Sequence, residues 1–348
     1  MTKEIIIAID FMGGDDDASF VLPGLRITYE KHPEARFKLF GDENLIRSKI
    51  KYFPELEKIS DINHCETFVR MDEKPSSSIK RGRGTSSIWK AIDSVKKGDS
   101  NIMISAGNTG ALMAMATLIL KTISKIQRPA IAAIWPTING ETIVLDVGAT
   151  IGFNTKQLID FSILGASMAQ SVFDLDQPTI SLLNIGEEEI KGLDEIKKAH
   201  EILKSGNYFF KYKGFVEGNQ IGKGVSDVIV MDGFTGNVAL KTAEGTASQI
   251  STYFKDAINR SFMAKIGYKL AKSAFETLKE KMNPSRLNGG VFLGLNGIVI
   301  KSHGKTDPMG FSSAIDLGID IHESSLLLKI QRNIELLDKE INFDKISN

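Results

Sequence analysis

Short apolar runs, each closing on glycine, serine, asparagine or aspartate and each followed by a helical pattern, recur along this chain and limit what it can fold into. Val228-Ile229-Val230 shows the unit most clearly. A β-branched run reads as a buried strand, Asp232-Gly233 breaks it, and Gly236-Asn237 opens a helical pattern through Lys241 to Glu244. Strand, polar loop and helix together aim unsatisfied backbone N–H groups and the positive end of the helix dipole at an anion. Lys241 follows Asn237 by one turn, so both side chains reach one spot, where the lysine adds a full charge. Taken alone, the stretch fits a plain strand–helix turn with a solvated lysine equally well.

The rest of the chain repeats the theme. Ile5–Ile9 ends at Asp10, ahead of Met12-Gly13-Gly14, and a helix is expected from Phe20 to Lys31. Strands are expected at Phe37–Phe40 and Asn63–Val69, with a helix over Leu45–Phe53 between them. Lys74–Ser87 reads as a basic, hydroxyl-rich, glycine-broken loop before a helix through Val95. Ile102–Ser105 passes through Ala106-Gly107-Asn108-Thr109-Gly110 into an apolar helix over Ala111–Lys121. Ala130–Trp135, Thr142–Leu145 and Thr179–Asn184 read as strands, Lys156–Phe173 as a helix. The loop Ile185–Gly192, a helix to Leu203 and the run Phe209–Tyr212 follow. Gly294–Gly304 is another strand with a polar end, and a last helix is expected over Ala314–Leu337.

Strands alternating with helices at this spacing predict an α/β fold, a mainly parallel sheet covered on both faces. Right-handed crossovers then set the strand C-terminal ends on one edge, where ligands bind in open sheets. No proline-rich linker divides the chain, so one domain is expected over 1–338, with a tail over 339–348. An amphipathic insertion occupies 252–282, where Phe254, Ile258, Phe262, Ile266 and Leu270 recur every four residues. Arg260, Lys265, Lys269, Lys272, Lys279 and Lys281 supply its polar face, and Gly267 predicts a break into two helices. A segment of this kind lies on an anionic membrane or against a partner, although a core helix with a solvated lysine face is commoner.

Composition removes several functions. Lysine plus arginine and aspartate plus glutamate both number 43, so no global field draws the protein to nucleic acid. Cys65 is the single cysteine; it is expected to be buried, and it excludes an intrachain disulfide or a cysteine-based metal centre. The absence of disulfides and of a leader ahead of Ile5 suits a cytoplasmic protein, and no apolar run is long enough to span a membrane. Met12-Gly13-Gly14-Asp15 lacks the dinucleotide glycine spacing, and Gly218–Gly224 is too short for a P-loop and lacks its Ser/Thr. No Gly-x-Ser-x-Gly or His-Glu-x-x-His occurs. Asp15, Asp16 and Asp17 read better as a helix cap than as a metal site.

Four anion-friendly loops remain: Ser105–Gly110, Ile185–Gly192, Asp232–Lys241 and Lys301–Gly304. They offer amides with isolated lysine or histidine and no nucleophile–base pair. Such a site positions a phosphate-like anion rather than forming a covalent intermediate. His303 is its candidate for proton transfer or phosphate binding.

At these loops the sequence resembles the bacterial acyl-ACP:phosphate acyltransferase family of phospholipid synthesis. The matching runs, in family order, are Ile9–Asp15, Ser105–Met113, Leu145–Ala149, Leu183–Glu188, Asp232–Lys241 and Leu295–Gly304. Departures stand at Asp16-Asp17-Ala18, at Thr150 and Gly152–Thr155, and at Gly82 and Gly84 in the basic loop. The resemblance implies a three-layer α/β/α fold like isocitrate/isopropylmalate dehydrogenases and phosphotransacetylases, usually homodimeric. It implies transfer of an acyl chain from acyl carrier protein to inorganic phosphate, with no metal or organic cofactor. A membrane glycerol-3-phosphate acyltransferase would use the acyl phosphate, and the family's peripheral membrane contact would suit the insertion.

On this reading Asn237, Lys241, Lys191, Asn108 and His303 act on the reacting groups. Asp10, Gly13, Gly14, Ser105, Gly107, Thr109 and Gly110 line the substrate from one side. Asn184, Glu187, Glu188, Asp232, Gly233, Phe234, Thr235, Gly236 and Lys301 line it from the other loops. The acidic carrier protein should meet a basic border drawn from Lys80, Arg81, Arg83, Lys255, Arg260 and Lys265. A short-chain phosphotransacetylase acting on acyl-CoA, and a non-catalytic scaffold for carrier protein, are the alternatives; a nicotinamide dehydrogenase fits least.

Overall fold

The computed structural model describes residues 4–14, 18–275 and 289–340. Its strands are β1 (Ile5–Asp10), β2 (Ala35–Gly41), β3 (Ser60–His64), β4 (Ile102–Ser105), β5 (Ala130–Thr137) and β6 (Gly140–Leu145). β7 (Thr179–Leu183), β8 (Lys211–Val216), β9 (Val228–Val230), β10 (Gly290–Leu293) and β11 (Ile298–Lys301) complete them. The helices of the first half are α1 (Val21–Lys31), α2 (Glu43–Ile50), α3 (Pro54–Glu57), α4 (Pro75–Gly82), α5 (Ser87–Lys97) and α6 (Thr109–Leu120). Then come α7 (Thr155–Val172), α8 (Asp194–Ser205), α9 (Gly233–Asn259), α10 (Phe262–Leu270), α11 (Pro308–Glu323) and α12 (Leu326–Glu340).

Alternation along each strand fills two cores. Ile7, Ile9, Ile102, Ile104, Val228 and Val230 join α1, α7, α11 and α12 on one face of the sheet. Ala8, Met103 and Ile229 join α5 and α6 on the other. With a side-chain period of two, residues of one strand feed both layers, giving the expected three-layer α/β/α architecture. Local signals set the helix starts: Ser86 caps α5, and Asn154 with Gln157 forms a capping box on α7.

The sheet runs β3-β2-β1-β4-β11-β10-β5-β6-β9-β7-β8. β10 is antiparallel to β11 and to β5, and β5 to β6; the remaining neighbours are parallel. The sheet is therefore mainly parallel, but the antiparallel centre reverses the sense of β6, β9, β7 and β8 relative to β1, β4 and β11. The C-terminal ends fall on two opposite edges, not on the single edge expected. A Gly290–Leu293 strand was not anticipated, and that strand together with the β5–β6 hairpin causes the reversal.

Other boundaries moved for local reasons. The expected strand at Asn63–Val69 lies earlier, at β3, where Ser60 to His64 register with Phe37 to Gly41. Phe209–Tyr212 likewise gives way to β8, because Phe210 turns into the core and stacks on Tyr208. The basic loop over Lys74–Ser87 contains α4, started by Pro75. The final helix breaks at Ser324–Ser325, where Ser325 has φ +55°. The amphipathic insertion is not set apart at 252: α9 runs unbroken from Gly233, ends at Asn259, and Ser261 caps α10. Gly267 lies inside α10 rather than at the break. Cys65 is buried, which pushes its thiol up to about 11. Asp15–Asp17, Lys279, Lys281 and the tail from 341 lie outside the described residues.

Candidate active site

At the first edge, the loops after β1, β4 and β11 knit together. Ser105 Oγ donates to Asp10 Oδ2 at 2.7 Å and accepts from the Gly107 N–H at 3.0 Å. A Cβ at Gly13 would stand 2.7 Å from the Gly107 nitrogen, so only glycine permits the two loops to meet. Gly14, at φ +117°, turns the first loop toward the Gly304 carbonyl. Burial holds the Asp10 carboxyl above its ordinary value, against the pull of neighbouring hydroxyls and Lys301. Lys301 Nζ donates to the carbonyls of Ala106, at 3.2 Å, and Ser302.

Asn108 is more constrained than a free oxyanion donor. Its Oδ1 caps α6 by accepting from Ala111 N at 3.0 Å, while its Nδ2 donates to the carbonyls of Met71 and Glu73, both at 2.9 Å. The first bond of α6 runs from Leu112 N to Asn108 O, leaving the Thr109 and Gly110 N–H groups without an intrahelical acceptor.

The second edge is built on Asp146, which the sequence reading did not single out as a site residue. Its buried carboxylate accepts from the N–H groups of Ile131 (3.0 Å), Gly148 (3.1 Å), Ala149 (2.8 Å) and Thr150 (2.8 Å), and from Thr150 Oγ1 (2.8 Å). Burial still keeps this carboxyl above its ordinary value. The start of α9 rests on this loop: a Cβ at Gly236 would lie 1.9 Å from the Asp146 carbonyl oxygen. Asp232 caps α9, accepting from Phe234 N at 3.0 Å and Thr235 N at 3.1 Å. Two amides expected to face an anion are thus occupied by the chain's own carboxylate. Asn237 packs on Gly148, and its carboxamide has no hydrogen-bond partner among the described residues.

α9 joins the two edges. From Gly233 to Lys241 it advances about 12 Å, carrying Lys241 Nζ to 3.3 Å from His303 Nε2, beyond the end of β11. Glu244 Oε2, unremarked in the sequence, accepts from Lys241 Nζ at 2.8 Å and lies 3.8 Å from His303 Nε2. The signal for it was an ordinary three-residue helical charge spacing.

The opposite face of α9 walls a cleft of about 1450 Å³. Thr235, Ala239, Thr242, Ala243, Thr246 and Ile250 line it from the helix, facing Leu182, Phe153, Trp135 and Leu193. At about 100° per residue, this stripe lies on the other side of α9 from Asn237, Lys241 and Glu244. Asn184, Asp232 and Glu217 make the cleft polar near the first turn of α9. Asn184 cinches its loop by donating to the carbonyls of Gly186 and Lys191, both at 3.1 Å. Glu187 accepts from Gln220 at 2.8 Å; Glu188 and Lys191 are exposed, and the Lys191 ammonium has no partner among the described residues. Phe234 is exposed. The candidates therefore divide into a polar cluster, a cleft mouth and a separate surface loop.

A three-layer sheet with glycine-rich loops at both edges and a helix spanning them defines the phosphotransacetylase-like class of α/β/α proteins. A phosphotransacetylase from Streptococcus pyogenes superposes with a TM-score of 0.62 at 15% identity, covering 93% of this chain and 95% of its own. A branched-chain phosphotransacylase from Enterococcus faecalis gives 0.56 at 13% identity, covering 91% and 99%. That likeness is one of fold. Within the class, the chain belongs to the phosphate acyltransferase family. A family model described as "Fatty acid synthesis protein" matches residues 5–329. A phosphate acyltransferase from Agrobacterium fabrum is 53% identical, covering 95% of this chain and 94% of its own. One from Mesorhizobium japonicum is 54% identical over the same shares. Membership makes the chain an acyltransferase of lipid biosynthesis.

Proposed function

We propose that the protein transfers a fatty acyl group from the phosphopantetheine thioester of acyl carrier protein to inorganic phosphate, giving acyl phosphate for phosphatidic acid synthesis. The observation that carries this reading is the two-faced helix α9, with a lysine–histidine cluster on one side and a large apolar cleft on the other. Phosphate belongs with Lys241, His303, Lys301 and the free amides of Thr109 and Gly110. The acyl chain belongs in the cleft, its tail toward Ile250 and its carbonyl toward the polar first-turn end. The helix, about 10 Å thick, stands between the two, so the thioester carbonyl leaves the cleft around the N-terminal end of α9 to reach Asn237 and the phosphate.

The chemistry follows from those positions. A phosphate oxygen attacks the thioester carbonyl, a C–O bond forms, and the carbonyl oxygen takes negative charge that the Asn237 carboxamide stabilises. The C–S bond then breaks, and the thiolate of the carrier protein leaves and takes a proton from solvent. Lys241 and His303 hold the phosphate charge; Asn108 fixes the loop that presents the Thr109 and Gly110 amides. Losing one such oxyanion donor costs roughly 10²–10³ in rate.

The long helix also bears on partners. Among its 27 residues only Gly233 and Gly236 are buried, while Phe234, Tyr253 and Phe254 are exposed, as are Phe262 and Met263 on α10. Such a face supports a homodimer through α9 and peripheral contact of the α9–α10 tip with a membrane carrying the glycerol-3-phosphate acyltransferase. Among the described residues no helix is long and apolar enough to cross a membrane. Of the basic border, Arg81 is tied to Glu73 at 2.6 Å, which leaves the exposed Lys80, Arg83, Lys255, Arg260 and Lys265 to meet carrier protein.

The test is release of free carrier-protein thiol from long-chain acyl carrier protein that depends on inorganic phosphate. Acyl phosphate, trapped with hydroxylamine, should form in equal amount. Greater activity on acetyl-CoA would favour the short-chain alternative, and ping-pong kinetics would rule out direct attack.

A further inference from the structure

We propose that Glu244 is an internal placeholder for phosphate, a positioning residue that holds Lys241 beside His303 and competes with the phosphate anion for the lysine. The inference rests on the site read above. Glu244 Oε2 already receives the Lys241 ammonium at 2.8 Å and faces His303 Nε2 at 3.8 Å, while Lys241 and His303 stand 3.3 Å apart. At 3.3 Å the Lys241 ammonium is in hydrogen-bond contact with the imidazole, and a carboxylate one helical turn along α9 holds the ammonium in that position. The Glu244 side chain is 23% exposed, less than either partner, so it anchors the group from below while the lysine head stays reachable.

Phosphate entering the site takes over part of the Lys241 charge that Glu244 holds. Glu244 therefore weakens phosphate binding and sharpens the position of the lysine and the imidazole, and it eases departure of the anionic product. Removing its charge should separate these effects. Half-exposed ion pairs are worth about 0.2–1 kcal/mol, which converts to roughly 1.4- to 5-fold in affinity.

Binding of inorganic phosphate to the full chain, by calorimetric titration, is the readout, alongside steady-state kinetics with acyl carrier protein. Glu244→Gln should bind phosphate up to about fivefold tighter and lower its KM, with kcat reduced. Glu244→Asp, which restores the charge, should return both toward wild type, and thermal melting checks that both variants fold. Unchanged or weaker phosphate binding in Glu244→Gln, beside a clear loss in Lys241→Ala, overturns the placeholder alone. If Lys241→Ala leaves phosphate binding intact, the placeholder falls together with the site on which it rests.

Discussion

Asp146 shows how one buried side chain can hold a loop and the start of a helix together. Five donors converge on a carboxylate with no exposed surface, and α9 begins against its carbonyl. Asp146→Ala should lower unfolding free energy by about 3 kcal/mol or more, since buried donors would lose their acceptor. Urea denaturation measures it; a loss under about 1 kcal/mol would mean the loop re-forms without it. Gly236→Ala should fail similarly, because its Cβ has no room beside the Asp146 backbone.

Asp10 makes a pH prediction. Its folded carboxyl is raised above the unfolded 3.8, chiefly by burial, so the folded state binds the proton more tightly. The stability this contributes is present below 3.8 and is lost as pH rises through the folded value. Asp10→Asn lacks that slope. Its melting temperature relative to wild type should therefore improve as pH is raised from acid to neutral; a difference independent of pH would show that Asp10 has no such effect.

At the scale of elements, α9 presents two different faces, one carrying Lys241 and Glu244 and one lining the cleft. Small residues at 242, 243, 246 and 247 leave room in the cleft that larger ones would fill. Ala243→Leu should move acyl preference to shorter chains, each excluded methylene costing about 0.8 kcal/mol, roughly fourfold in kcat/KM. Chain-length profiles for both proteins check it, and superimposable profiles would take the acyl chain out of the cleft. The element was legible in part. Val228–Val230, the turn and Lys241 are plain in the sequence, yet the helix starts three residues before the expected Gly236, because Asp232 supplies the cap. That cap also removes two of the amides on which an anion site at this turn would depend.

Across the whole molecule, the three layers follow from strand and helix patterns alone, as the two cores confirm. The edge at which each loop stands does not: β10 is only four residues long, and Asn139-Gly140, which marks the β5–β6 hairpin turn, does not say where that hairpin joins the sheet. If carrier protein docks on the basic α9–α10 side, its association should weaken as salt rises through the range where the Debye length falls from about 10 to 3 Å. Surface-bound kinetics at increasing salt test this; a flat response would move the docking surface elsewhere.

In the sequence by itself, local periodicity and turn chemistry were enough for most of the strands and their polar ends, though not for β10 or the placing of β3 and β8. The matching runs carried the family resemblance and most of the residues that gather at the two edges. The tertiary structure alone decided that the loops lie on opposite edges, that Lys241 crosses to His303, and that Glu244 meets both. Helical spacing fixes which residues share a face of α9. What each face meets depends on the sense of strands distant in the chain, and no local pattern encodes that.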